Sequence, residues 1–259
     1  MILAAGRGER MRPLTDKVPK PLLAVGGKAL IVWQIEALVA AGFNRIVINH
    51  AWLGDQLEQA VGDGSYWGIR IAWSREGEAL ETAGGIVTAL PLIEGDTPGE
   101  PFLVVSADIH SDYDYTRLVP IVGSIRTRYP QHAAHLVLVD NPAWHPRGNV
   151  PLIDGFVGRG TSDDDSEETK AHADAEARDE GVHLLTYANI AVFHPRCFDD
   201  LVPRRRLRLF PWAYTLADEH RMTGTLFEGA WDNVGTPEQL AALEHRLKEP
   251  PTAAPDAHG

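Results

Sequence analysis

A single cysteine, Cys197, stands in 259 residues, which excludes an internal disulfide and fits a reducing cytoplasm. Its setting, His194-Pro195-Arg196-Cys197-Phe198, reads as that of a small half-buried residue rather than a catalytic thiol. Basic residues are also scarce: 24 Lys and Arg against 36 Asp and Glu leave a net charge of −12. Nucleic acids and anionic membranes need a broad basic field, so neither is expected as a partner. A small anion needs only a few local cations and remains open. No apolar run is long enough to span a bilayer. The opening Met1-Ile2-Leu3-Ala4-Ala5-Gly6 turns polar too soon for a signal peptide. The chain is therefore read as soluble and cytoplasmic. Internal repeats are lacking too, and nothing after Thr236 resembles the hexapeptide repeats of an appended β-helix.

What is present is ordinary globular material, with 44% apolar residues and a length that suits one large α/β domain. Short apolar runs alternate with helical spacing, the pattern of a mostly parallel sheet with helices on both faces. Strands are predicted at Ile2–Ala4, Arg45–Asn49, Ile69–Trp73, Phe102–Ser106 and His135–Val139. Ile31, Ile35 and Leu38 mark a helix that ends by Gly42, and Trp52–Val61, Gly85–Leu90 and Tyr115–Arg128 read as further helices. A last helix opens at Thr236-Pro237-Glu238-Gln239, with Thr236 as N-cap and Gln239 closing a capping box. Residues 1–249 are expected to form one domain. Within it, 158–181 holds nine acidic and three basic residues, −6 of the net −12, and reads as a solvated insertion. Residues 250–259 read as a frayed tail.

Chemistry concentrates first at Leu3-Ala4-Ala5-Gly6-Arg7-Gly8-Glu9-Arg10-Met11-Arg12-Pro13, directly after the first strand. Two glycines one residue apart let the backbone turn sharply and bring its N–H groups against an anion. Arg10 and Arg12 add cations, and Lys20 adds a point charge between Pro19 and Pro21. A dinucleotide fingerprint would need a third glycine where Met11 stands, and an acidic residue about twenty positions on. A Walker loop around Gly27-Lys28 would need glycine at Leu22 and Ser or Thr at Ala29. Both are rejected, and a mere surface turn fits poorly with so long a run.

Leu3–Pro13, with Thr15 and Pro19-Lys20-Pro21-Leu22, resembles the signature of the sugar nucleotidyltransferases, the nucleoside-diphosphate-sugar pyrophosphorylases. The resemblance implies a Rossmann-like, mostly parallel mixed sheet with helices on both faces, of the GT-A-like nucleotidyltransferase type. It implies that Leu3, Ala4, Ala5, Gly6, Gly8 and Glu9, with Ser106, wrap a nucleoside triphosphate. Arg10 would then hold the outer phosphates and Lys20 the reacting ones. Val47–Gly54, Leu80-Glu81-Thr82-Ala83-Gly84-Gly85 and Leu136–Pro142 most resemble one branch, the N-acetylmuramate-1-phosphate uridylyltransferases of cell-wall recycling.

Phe102–Asp108 reads as a buried strand running into a carboxylate, at the sheet end where open α/β folds bind ligands. Asp108 is well placed there to hold Mg²⁺ against substrate phosphates, capping of the next turn being the plainer alternative. By resemblance Asp108 is the principal metal ligand. The late motif Trp231-Asp232-Asn233-Val234-Gly235-Thr236 then puts the second ligand on Asn233, not Asp232. If the stretch is extended, those neighbours point to opposite faces and only one can reach the ion.

Backbone groups near Thr82, Ala83 and Gly84 are expected to bracket the base, uracil by resemblance. The sugar side is expected at Asn141, Gly148 and Asn189, with a cation from Arg147 or Arg204-Arg205-Arg206. The expected partners are thus a nucleoside triphosphate and a sugar-1-phosphate. The phosphate monoester, with a second pKa of about 6, can attack without a general base. The alternatives are nucleotidyl transfer to another sugar-1-phosphate or to phosphocholine and a GT-A glycosyltransferase using Asp112-Tyr113-Asp114, while a catalytically silent homologue would be expected to lose Lys20 or Asp108, and both are intact.

Overall fold

In the computed structural model, residues 1–95, 97–161, 165–167, 170 and 182–248 are described. Most of the acidic stretch 158–181, and all of the tail 250–259, lie outside these described residues. The chain begins with β1 (Ile2–Leu3), a ribbon of β2 (Ala24–Val25) and β3 (Lys28–Ala29), α1 (Leu30–Ala40), β4 (Arg45–His50) and α2 (Gly54–Val61). There follow β5 (Arg70–Arg75), α3 (Glu81–Glu94), β6 (Phe102–Ser106), β7 (Ile109–Ser111), α4 (Val119–Arg128) and β8 (Ala134–Val139). The second half adds β9 (Val150–Ile153), β10 (Phe156–Val157), β11 (Leu184–Phe193), a short helix Tyr214–Asp218, β12 (Met222–Phe227), β13 (Trp231–Asn233) and the helix Pro237–Lys248.

Nine strands form one sheet in the order β5-β4-β1-β6-β11-β8-β12-β10-β9. β5, β4, β1 and β6 run parallel, β11 is antiparallel to both β6 and β8, and β12 is parallel to β8. The sheet is therefore mixed. Its period-two alternation builds two cores, because successive residues face opposite sides. Leu103, Val105, Val137, Val139, Ile190 and Val192 join α1, α2 and α4 on one face. Phe102, Val104, Leu136, Leu138, Ala191 and Phe193 meet α3 and the helix Tyr214–Asp218 on the other. Helices thus cover both faces. Among the described residues no helix is long and apolar enough to cross a membrane.

β1 sits between β4 and β6, so the chain leaves β1 to one side and returns to pair on the other. Such a switch opens a crevice beyond the carboxyl ends of the strands. Leu3 is level with Asn49 of β4 and Ser106 of β6, which sets the floor of that crevice. A third apolar cluster of Met11, Leu23, Val25, Leu30, Val234 and Leu243 ties the loop after β1 to the C-terminal helix.

Several helix limits differ from expectation. α3 runs from Glu81 to Glu94, well beyond Gly85–Leu90 at both ends. The Tyr115–Arg128 stretch starts as a 3₁₀ turn over Tyr115–Leu118, capped by Asp114, before α4 proper. At the last helix Gln239 Oε1 accepts from Gly235 N–H at 2.7 Å, one residue earlier than a standard capping box, while Thr236 Oγ1 accepts from Gln239 N–H at 3.3 Å.

Candidate active site

The loops leaving β1 and β6 enclose a cleft of about 540 Å³. Leu3, Ala4, Ala5, Gly6, Gly8, Glu9, Arg10, Lys20, Thr82, Ser106 and Asp108 all line it. The two glycines serve different ends. Gly8 has a φ of 69°, and a Cβ there would come within 3.0 Å of Thr15 Cγ2 and 3.2 Å of Lys20 Cβ. At Gly6 no atom lies within 4 Å of the Cβ position, so its bareness leaves room for a ligand rather than for protein. The loop is braced from behind. Thr15 Oγ1 donates to Gly8 O at 2.8 Å, and Arg7 donates to Thr15 O at 2.7 Å and Asp16 Oδ1 at 2.9 Å. Arg7 also stacks 4.0 Å over the Trp52 ring, so this lining residue is engaged in stiffening the loop. Arg10, by contrast, is exposed and makes no side-chain hydrogen bond or ion pair among the described residues. It lies across Gly235, whose missing side chain would stand 3.0 Å from the guanidinium.

Lys20 Nζ and Asp108 Oδ2 form an ion pair on the cleft wall, with side chains 12% and 28% exposed. The pair joins the glycine loop to the end of β6. β13 lies beside it, because Asn233 pairs with Ile109 of β7 and Val234 N–H donates to Asp108 O at 2.8 Å. Asn233 is not among the cleft-lining residues, and its Oδ1 is buried with no hydrogen-bond partner among the described residues. Asp232 is turned away into an ion pair with Arg246 of the C-terminal helix. The opposite-face expectation for these two neighbours therefore holds.

A buried polar relay links the loop to the start of α3. Ala4 N–H donates to Asn49 Oδ1 at 2.9 Å, and Asn49 Nδ2 donates to Glu76 Oε1 at 2.6 Å. Glu76 Oε2 accepts from Leu80 N–H at 2.9 Å. Burial pushes the Glu76 carboxyl above the usual carboxylate range, against the pull of these hydrogen bonds. Gly85 is required here, since its Cβ would stand 2.6 Å from Glu76 Oε1 and 2.7 Å from Asn49 Nδ2.

The Nucleotidyl transferase family matches residues 1–128. An N-acetylmuramate alpha-1-phosphate uridylyltransferase from Neisseria meningitidis is 43% identical, covering 91% of this chain and 92% of the relative. One from Caulobacter vibrioides is 33% identical over 96% of each. The chain belongs to the sugar-1-phosphate nucleotidyltransferases. Solved structures agree on the fold. HddC from Yersinia pseudotuberculosis, complexed with GMP-PN, superposes with a TM-score of 0.68 at 18% identity, covering 95% of this chain and 98% of that one. A Bacillus anthracis protein in complex with sucrose gives a TM-score of 0.73 at 21% identity, covering 98% and 96%.

For this nucleotidyltransferase, the remaining expected site residues fall away from the cleft lining. Ala83 is fully buried in α3. Gly84 N–H is already donated to Leu207 O at 3.0 Å, and a Cβ there would collide with Arg205 O at 2.1 Å. The geometry of Gly84 thus serves the docking of the 205–207 segment. Asn141 braces β11, donating from Nδ2 to Leu184 O at 2.8 Å and accepting from Thr186 Oγ1 at 2.8 Å. Gly148, with a φ of 65°, packs against it, its Cβ position lying 2.5 Å from Asn141 Oδ1. Asn189 stands at a register shift in β11 with a φ of 59°, and its side chain makes no hydrogen bond among the described residues. Asp114 accepts from the Thr116 N–H and hydroxyl as a cap, and neither it nor Asp112 lines the cleft. Asn49, Glu76 and Glu81 were given no role in the site from the sequence, while Arg206, expected on the sugar side, lines the cleft paired with Glu81. A lone Glu before glycine and a polar residue closing an apolar strand offered only faint signals.

Proposed function

We propose that this nucleotidyltransferase moves UMP from UTP to N-acetyl-α-muramate 1-phosphate, releasing pyrophosphate. The overall similarity to the Neisseria and Caulobacter uridylyltransferases supports that substrate pair. The observation that carries the reading is the Lys20–Asp108 ion pair set beside the glycine loop. The sugar-phosphate oxygen forms the new bond to the α-phosphorus as the bond to the β-phosphate breaks, and pyrophosphate leaves towards Arg10 and the loop. Catalysis then consists of alignment and charge neutralisation, with Arg10 and Lys20 as the cations. The GT-A-like type of sheet belongs to the same reading.

Magnesium fits the residues present. Asp108, on the cleft lining, supplies a carboxylate, and Asn233 in the adjacent β13 offers a buried amide oxygen with no partner among the described residues, a hard-oxygen pair that substrate phosphates would complete. Among the described residues no group of three acidic, His or Cys side chains forms a closed cage. Bound there, the ion would neutralise charge on the reacting phosphates. The decisive experiment crosses UTP, CTP, GTP and dTTP with a panel of sugar-1-phosphates and phosphocholine, reading pyrophosphate release. UTP with N-acetylmuramate 1-phosphate should be the fastest pair, and no turnover with it sinks the proposal. Asp108→Asn should fold and lose at least about 10²-fold in kcat, the usual scale for removing one charge-stabilising group.

A further inference from the structure

Glu81 opens α3 with a φ of 62°, a region that disfavours any residue bearing a Cβ. Such strain persists where the surroundings hold the side chain to a task. Here Glu81 lines the cleft together with Ala79, Thr82 and Arg206. Arg206 donates to it from Nε at 3.1 Å and Nη2 at 2.6 Å, and both bonds fall on Oε1. The second oxygen, Oε2, has no partner among the described residues. Arg206 is itself held by its neighbour, since Leu207 N–H donates to Leu80 O at 2.9 Å and Gly84 N–H to Leu207 O at 3.0 Å. A carboxylate thus stands on the wall with a cation beside one oxygen and, among the described residues, a free acceptor on the other.

We infer that Glu81 is a specificity-determining residue for the base: its Oε2 accepts a hydrogen bond from an imide N–H such as uracil carries between its two carbonyls. This rests on the nucleotidyl-transfer reading above, which gives the cleft a nucleotide but not the means of choosing one. A carboxylate accepts and cannot donate. Cytosine presents an unprotonated nitrogen acceptor at the corresponding ring position, so the two acceptors would face each other unpaired. Arg206 acts as a positioning residue that orients Glu81.

The test is Glu81→Gly, because glycine suits a positive φ and relieves the backbone rather than burdening it. Binding of UTP and CTP to the full chain is measured calorimetrically without sugar phosphate, beside the melting temperature of the free protein. Loss of a charge-assisted hydrogen bond should weaken UTP binding about tenfold or more. Preference for UTP over CTP should fall by the same factor, while the melting temperature stays level or rises. Glu81→Gln, which keeps an acceptor without the charge, should retain an intermediate preference. An E81G protein as selective for UTP as the wild type overturns the inference alone. A wild type that binds neither nucleotide overturns the reading beneath it.

Discussion

In the proposed metal site, Asn233 would offer an amide oxygen where a second carboxylate would add one more negative charge. Its Oδ1 is buried and has no partner among the described residues, while the obvious carboxylate next door, Asp232, is committed to Arg246. The parting of these two neighbours was legible in the sequence, because extension of the strand turns successive side chains to opposite faces. An Asp108–Asn233 pair should hold Mg²⁺ weakly until phosphate oxygens arrive, since affinity rises with the charge count of the ligands. Asn233→Asp is therefore expected to tighten Mg²⁺ binding to the nucleotide-free protein, on the order of tenfold. Fluorescence of the nearby Trp231 offers a readout in a Mg²⁺ titration, and an unchanged midpoint would remove Asn233 from the metal site. Glu81 shows the limit of reading residues one at a time. Its chemistry depends on a backbone dihedral and on a partner 125 residues away, neither of which any local string announces.

The elements that were legible are those with unbroken apolar runs. β4, β6 and β8 fall within a residue of their predicted limits, because their strands are buried on both faces. β11 and β12 were not foreseen. β11 is interrupted by a bulge at Tyr187–Ile190 with Asn189 in the left-handed region, and β12 carries Gly224, whose Cβ position is filled to 2.9 Å by Leu152 and Val157. In both, tertiary packing supplies what the local pattern lacks. The same holds for the relay that couples elements around the cleft. Both Glu76 oxygens accept, one from Asn49 of β4 and one from the Leu80 N–H before α3. An amide offers one acceptor and one donor, so Glu76→Gln must turn an N–H towards a donor whichever way it flips. One unsatisfied buried group costs about 1–3 kcal/mol, partly offset by relief of a buried charge. Glu76→Gln should therefore lower stability by about 1 kcal/mol and raise the KM for UTP several-fold with little change in kcat. Urea denaturation beside steady-state kinetics checks this. A variant with lower stability but unaltered KM would leave Glu76 a purely structural group.

On the scale of the whole molecule, the cleft belongs to a sheet whose other half contributes nothing to the cleft lining. β8 and β12 pair through His135, whose ring nitrogens lie 2.8 Å from Thr223 Oγ1 and 3.1 Å from Thr225 Oγ1. The ring is 1% exposed, and burial pushes its pKa down to about 4. In the unfolded chain the same group titrates near its ordinary value of about 6.5. Between those values the unfolded chain binds a proton that the folded protein refuses, so stability falls as the pH drops through this window and levels off below it. Burial pushes His110 and His194 down as well, so they act in the same direction. His135 alone should account for a loss on the order of 2 kcal/mol between pH 7 and pH 5, at about 1.4 kcal/mol per unit across the window. Gln at this position can still hydrogen-bond both hydroxyls but cannot take up the proton. His135→Gln should therefore unfold in urea with a visibly flatter pH dependence while retaining its nucleotide affinity at pH 7. If the wild type and His135→Gln lose stability in parallel on acidification, the buried imidazole is not the group that ties this sheet to neutral pH.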